Sequence, residues 1–229
     1  MGTVFGRESV AEPPYSVLLS RQAVECPYEI RKYSERVAIE ASYPTGADGE
    51  SNDGTPFMML ARYIGVVGAP ENEGAESISM TAPVVIERKE AIGGGTPISM
   101  TAPVVKSNEG GVKKMQFILP TKFDEVSKAP KPTNPGVQVK KLPASVGVVH
   151  RFNGNFSEER SRTMAMGLAK QLREDGLDMS DEDVLGKFQF WGYNPPFTIP
   201  YFRRNEVWVP MSQQQVSRLV NSHGPSSIN

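Results

Sequence analysis

The chain offers few residues for covalent or metal chemistry. One cysteine, Cys26, and two histidines, His150 and His223, are the whole stock. A Cys/His nucleophile needs both side chains within hydrogen-bond reach. Cys26 precedes Pro27, His150 sits beside Arg151 in an apolar run, and His223 lies in a polar C-terminal stretch. Nothing in that arrangement brings them together, so Cys26 reads as an ordinary small residue. Two widely separated histidines and one cysteine make no local metal-ligand set. The acidic run Asp181-Glu182-Asp183 lacks the spaced ligands and central glycine of a calcium loop and reads as a solvated loop. Gly93-Gly94-Gly95 is not followed by Lys-Ser/Thr, so it is no phosphate-binding loop. Non-covalent binding is what remains. Phe57, Leu60, Ala61 and Ile64 fall at i, i+3, i+4 and i+7, one face of a helix. Met58, Met59 and Arg62 lie off that stripe. Methionine gives soft, adaptable surface, and an arginine one turn from Met58 can meet a carboxylate. The apolar stripe also has a plainer reading, that it covers a sheet, and both readings stand at this point.

The elements that must hold these residues follow from pattern and punctuation. Val17 to Ser20 reads as a short strand. Tyr28 to Tyr43 alternates apolar and polar residues, with a break at Ser34-Glu35-Arg36 that divides it into two strands or bends one. Thr55 as cap and Pro56 at the first helical position predict a helix over 56–64, ended by Gly65 and Gly68. Strands are expected over 114–119, around Val137 and Val139, over 146–152, 188–193 and 206–210. Residues 121–136 are Pro-rich and read as loop. Ser157, followed by Glu158 and Glu159, starts a second helix that runs to about Asp175, with Gly176 as its stop. Its buried face is Met164, Ala165, Leu168, Ala169 and Leu172. Residues 213–220 can add a short helix to an otherwise polar tail. The order predicts an α+β fold of two β-α-β-β halves with helices on largely antiparallel strands.

One feature stands out by identity alone. Ile-Ser-Met-Thr-Ala-Pro-Val-Val occurs at 78–85 and again at 98–105. The copies flank a charged run and a glycine turn, so a lengthened hairpin is expected, each copy an edge or bulged strand because its proline withholds a ladder donor. Two copies are too few for a solenoid.

Composition excludes several classes of function. The 229 residues carry 25 basic and 26 acidic side chains, a net charge of -1, which leaves no electrostatic footprint for nucleic acid or for an anionic membrane, although a local basic patch can hide inside a neutral total. No apolar run approaches the ~18 residues of a membrane span. The single cysteine fits a reducing compartment, and the N-terminus lacks a signal core, so a cytoplasmic location is expected. The organisation expected is an arm over 1–13, a domain over 14–211 and a polar tail over 212–229.

Several segments, taken in order, resemble the SOUL haem-binding protein family, and its plant or algal type most. They are Tyr28-Glu29-Ile30-Arg31-Lys32-Tyr33, Leu60-Ala61-Arg62-Tyr63-Ile64-Gly65, the Met-Thr-Ala-Pro-Val of 80–84 and 100–104, Phe117-Ile118-Leu119-Pro120, Tyr193-Asn194-Pro195-Pro196-Phe197 and Arg203-Arg204-Asn205-Glu206-Val207-Trp208. The resemblance implies a distorted antiparallel β-barrel built from two β-α-β-β halves with two main helices. It also implies non-catalytic binding of haem b or another porphyrin on an apolar surface at the first helix, as a carrier or buffer, with no histidine ligand. Matched by position, the site comprises Phe57, Leu60, Ala61, Arg62 and Ile64, with Met58 beside them and Phe197 on the neighbouring 195–199 loop. Thr198 or Ile199, and Gly54, stand where some members carry a basic partner for the propionates. The alternative expectation is a protein-interaction module that uses the 78–105 hairpin. An enzyme of the same fold has no residue set here to support it.

Overall fold

A computed structural model describes residues 11–44, 53–89, 112–155, 157–194 and 198–224. Among these residues nine strands make one antiparallel sheet: β1 (Tyr15–Arg21), β2 (Tyr28–Tyr33), β3 (Arg36–Pro44), β4 (Val84–Lys89), β5 (Val112–Ile118), β6 (Val137–Leu142), β7 (Ser145–Phe152), β8 (Gln189–Gly192) and β9 (Asn205–Pro210). The helices are α1 (Gly54–Tyr63), α2 (Glu158–Glu174), α3 (Asp181–Leu185) and α4 (Gln213–His223). The spatial strand order is β1-β2-β7-β9-β8-β4-β5-β3-β6. The sheet curls into a half-barrel, the distorted barrel of an α+β fold.

That order contains two equivalent units. In β3-α1-β4-β5, the last strand lies between the other two, and in β7-α2-β8-β9 it does so again. The units meet at the β4–β8 pair, where Val85 faces Trp191 and Ile86 faces Phe190. Each unit's preceding strand crosses over: β2 pairs with β7, and β6 pairs with β3. The β-α-β-β grammar of the sequence is therefore present, with its flanking strands exchanged between halves.

Alternation along the strands sorts the core into layers. Val37, Ile39 and Ala41 of β3 with Met115 and Phe117 of β5 pack under α1 through Leu60, Ala61 and Ile64. Ile30, Val148, Phe190, Val207 and Val209 pack under α2 and α4 through Ala165, Leu168, Leu172, Val216 and Leu219. The intervening residues Tyr33, Ala38, Val85, Ile118, Val149, Trp191 and Trp208 form a third cluster with no helical member. Each fully buried leucine contributes roughly 1.5–3 kcal/mol to these layers.

Four local expectations change. Thr55 lies inside α1, and Asp53 is the N-cap, although its carboxylate makes no capping bond. The acidic run at 181–183 is not loop but α3, started by a capping box in which Ser180 and Asp183 bond reciprocally. Helix α4 extends to His223 and buries Val216 and Leu219, so residues 213–223 belong to the folded body. The first copy of the repeat is not an edge strand. Its Val84-Val85 begin β4, which is paired on both sides, and Pro83 stands just before the ladder, where its missing donor costs nothing. The second copy lies outside the described residues.

Candidate functional site

Helix α1 is fixed at both ends. At its C-terminal end the last carbonyls find donors from the chain that follows: Arg62 O accepts from the Gly65 and Glu71 N–H groups, Tyr63 O from the Asn72 amide, and Ile64 O from the Ile78 N–H. Gly65, at φ 77, makes the turn, and a side chain there would run into Pro70. The Tyr63 hydroxyl donates to Pro130 O at 2.6 Å. Burial, and then the charge of Glu76, push its pKa up to about 12.

At the N-terminal end, Asp53 accepts from the Tyr43 hydroxyl at 2.8 Å and stands 3.8 Å from the Lys113 ammonium. Lys113 bonds Glu158 at 2.8 Å, which ties the start of α1 to the start of α2. Burial and the bond to Asp53 raise the Tyr43 pKa. Lys113, almost wholly buried, is a residue that motif matching passed over. Its signal was available, because Lys113, Met115 and Phe117 share one face of β5 at a spacing of two.

The helix divides the expected binding residues into two sets. Leu60, Ala61 and Ile64 are buried in the core under α1 and have no surface to offer a ligand while the helix stays docked. For these three the plainer reading, sheet covering, is the one the structure carries. Phe57 is half-buried and meets the Phe117 ring edge-on, with centroids 5.4 Å apart. Met58 is 38% exposed. Met59 packs against the core and lies close over Gly136. The Arg62 side chain is 54% exposed and stands 3.7 Å from Glu71, a contact that adds little in water. The outward residues of α1 are thus Met58 and Arg62, with Phe57 half-buried at the margin of the core. Phe197 lies outside the described residues. Thr198 is buried, and its carbonyl accepts from the Arg203 guanidinium at 2.7 Å. Ile199 is exposed. Arg203 supplies a cation beside Thr198 that positional matching at 198 or 199 misses.

Beside the start of α1, Ile86, Phe188 and Phe190 line a cleft of about 30 Å³ with Lys113 and Glu158. That cleft is far too small to enclose a planar ligand of porphyrin size. Neither histidine is near this surface through its bonds: His150 Nδ1 contacts Pro27 O at 2.7 Å, and His223 Nε2 contacts Asp175 O at 3.0 Å. Cys26 is a poor nucleophile, its thiol raised to about 11 by burial and then by Glu25. Among the described residues no group of three or more His, Cys, Asp or Glu side chains could hold a metal ion. Among them, too, no helix is long and apolar enough to cross a membrane.

Comparison with known proteins gives a consistent match along the chain. The family profile described as SOUL heme-binding protein covers residues 10–210. Heme-binding protein 2 of Homo sapiens is 29% identical over 184 residues, which is 80% of this chain and 77% of that protein. Among solved structures, the C-terminal domain of EcmrR aligns with 82% of this chain and 99% of its own at 11% identity and a TM-score of 0.48. A hydrolase encoded by lin2189 from Listeria innocua aligns with 81% of this chain and 91% of its own at 13% identity and a TM-score of 0.47. Both scores lie below 0.5, a likeness too loose to bear on the site.

Proposed function

Because the chain belongs to the SOUL haem-binding protein family, we propose that it binds haem b or a related tetrapyrrole, without catalysis, on the outer face of α1, as a carrier or buffer. The observation that carries this reading is the exposed pair Met58 and Arg62, one turn apart on a helix whose inner face is already committed to the core, with half-buried Phe57 beside them. Haem-binding protein 2 is a relative over most of the chain and adds weight to the ligand class.

The residues present suit the group. Met58 offers a polarisable contact for a flat apolar face, Phe57 an aromatic edge, and Arg62 a charge for a propionate. Arg62 would exchange its loose contact with Glu71 for that partner, and Phe197 would contribute a second aromatic ring. When bound, a tetrapyrrole supplies a large planar apolar area. At ~25 cal/mol per Å² that area can hold it on an open face without an axial bond. Leu60, Ala61 and Ile64 act beneath this surface by keeping α1 rigid against the sheet.

Titrating haemin into the protein and following the Soret band tests the proposal. Saturable binding in the micromolar range, weakened by Arg62→Glu, is expected. Lack of saturation, or a titration indifferent to both Arg62→Glu and Met58→Asp, would overturn it.

A further inference from the structure

A second cleft lies away from α1, and its lining is of a different chemical kind. Its volume is about 770 Å³, and its walls include Arg31 on β2, Arg151 on β7, Arg160 on α2 and Arg204 just before β9. Arg31 and Val149 line it from the sheet face opposite Ile30 and Val148, while Phe152 and Arg160 line it from the side of α2, so the cleft spans the end of the sheet where β7 leads into α2. Four guanidiniums from four separate segments converge there, with Tyr15, Gln22 and Asn153 among them.

Two of the four are set in place by the protein. Glu206, 0% exposed, accepts from Arg31 at 2.9 Å and from Arg204 at 3.0 and 2.8 Å. Glu29 holds Arg31 from the cleft side at 2.8 Å, and Glu12 holds Arg204 at 2.7 Å. The Arg31 guanidinium also lies over the Tyr15 ring, 4.5 Å from its centroid. These three carboxylates answer Arg31 and Arg204. They leave Arg151 and Arg160 without a carboxylate partner among the described residues. Arg160 donates to Asn153 O at 2.9 Å and packs over Phe152. Arg151 extends from the same strand face that carries Val149, opposite Glu206 in the ladder.

A protein with a net charge of -1 has no general reason to gather four arginines and no lysine in one polar cleft. Guanidiniums present a planar fork of donors that matches the oxygens of a phosphate, and fixing them before binding removes an entropic cost. Hence we infer that this cleft is a binding site for a phosphate-bearing anion, separate from the α1 surface. Arg31 and Arg204, their donors committed to Glu206, Glu29 and Glu12, brace its wall. The exposed Arg151 and Arg160 are the guanidiniums that meet the ligand and supply the charge that the built-in carboxylates leave over. The ligand is either a free phosphorylated small molecule or the headgroup of an anionic lipid, since both present the same oxygens.

Two arms tell these sources apart. Isothermal titration with inorganic pyrophosphate reads the free ligand. Co-sedimentation with phosphatidylcholine vesicles doped with phosphatidic acid reads the headgroup. Both are run on the whole protein and on Arg151→Gln/Arg160→Gln, whose substituted side chains are exposed, with thermal melts to confirm an unchanged fold. Saturable binding in either arm that rises in Kd roughly tenfold for each arginine removed, the loss expected for a charge-assisted hydrogen bond, supports the site. The arm that responds identifies the source. Binding that the double variant leaves unchanged, or no saturable binding in either arm at low ionic strength, overturns it. Haemin titration of the same double variant is expected to match the parent, because the two sites share no residue.

Discussion

Replacing Glu206 with glutamine is expected to be among the most destabilising isosteric changes in the molecule. The carboxylate is wholly buried and receives Arg31, Arg204 and, at 2.6 Å, the Tyr193 hydroxyl. Glutamine keeps the volume but removes the charge and turns an amide N–H₂ toward existing donors. Arg31, only 4% exposed, then keeps Glu29 as its one carboxylate partner among the described residues. Removing one partner of a buried ion pair costs about 3–5 kcal/mol because the other charge stays desolvated. Against a typical total of ~5–15 kcal/mol this is a large share. At about 2–4 °C per kcal/mol it lowers Tm by roughly 6–20 °C. Urea unfolding with circular dichroism measures it. The triple change Arg31→Met/Glu206→Leu/Arg204→Met removes all three charges together and is expected to recover most of the loss, since a well-packed apolar replacement is often neutral. A cost below about 1 kcal/mol for Glu206→Gln, or a triple variant weaker than the single one, would refute the view that Glu206 anchors these arginines.

Three further outcomes follow from the packing. Leu60→Ala is expected to cost about 2–5 kcal/mol, whereas Met58→Ala, on the exposed side of the same helix, should stay within about 0.5 kcal/mol; paired denaturant curves test the contrast. Gly147→Ala places a methyl 2.3–2.5 Å from the Trp208 ring, so a loss of about 1–3 kcal/mol with altered tryptophan fluorescence is expected. Asp175 depends on pH. Burial opposes its charge, but Arg21 and the Tyr28 hydroxyl donate to it at 3.0 and 2.5 Å and carry its pKa below the usual range. A folded pKa below the unfolded value of about 3.9 gives stability that is complete above that value and fades as pH falls through the folded one. The stability gap between the parent and Asp175→Asn should therefore be full at neutral pH and close in acid, and melts over a pH series check it.

Much of the fold was legible because local signals and tertiary demand agreed. Ser157 with Glu158 and Glu159 predicted α2, and the structure has Ser157 accepting the Arg160 N–H, with Gly176 at φ 95 beyond the end. The misses have physical causes. The charge of the Asp181-Glu182-Asp183 run reads as solvated loop, but the Ser180-to-Asp183 spacing is that of a capping box and starts a helix there. Pro83 argued for a sheet edge, yet the ladder begins one residue later. On α1 the 3.6-residue period groups Phe57, Leu60, Ala61 and Ile64, but period alone does not say whether a stripe meets a sheet or a ligand. Burial separates them, and only Phe57 of that stripe retains surface. The arginine cleft draws on positions 31, 151, 160 and 204, which no local spacing connects.

The most direct test of tetrapyrrole binding at α1 is a methyl NMR spectrum of the ten methionines with a diamagnetic porphyrin added. Labelling the methionine methyls and titrating zinc protoporphyrin reports which side chain meets the ring current. The expected result is a saturable shift of the Met58 methyl, lost in Met58→Leu by disappearance of that signal, with Met179, buried under α2, unmoved. A spectrum in which Met58 stays in place while other methionines shift, or in which none responds, would contradict binding on this helix.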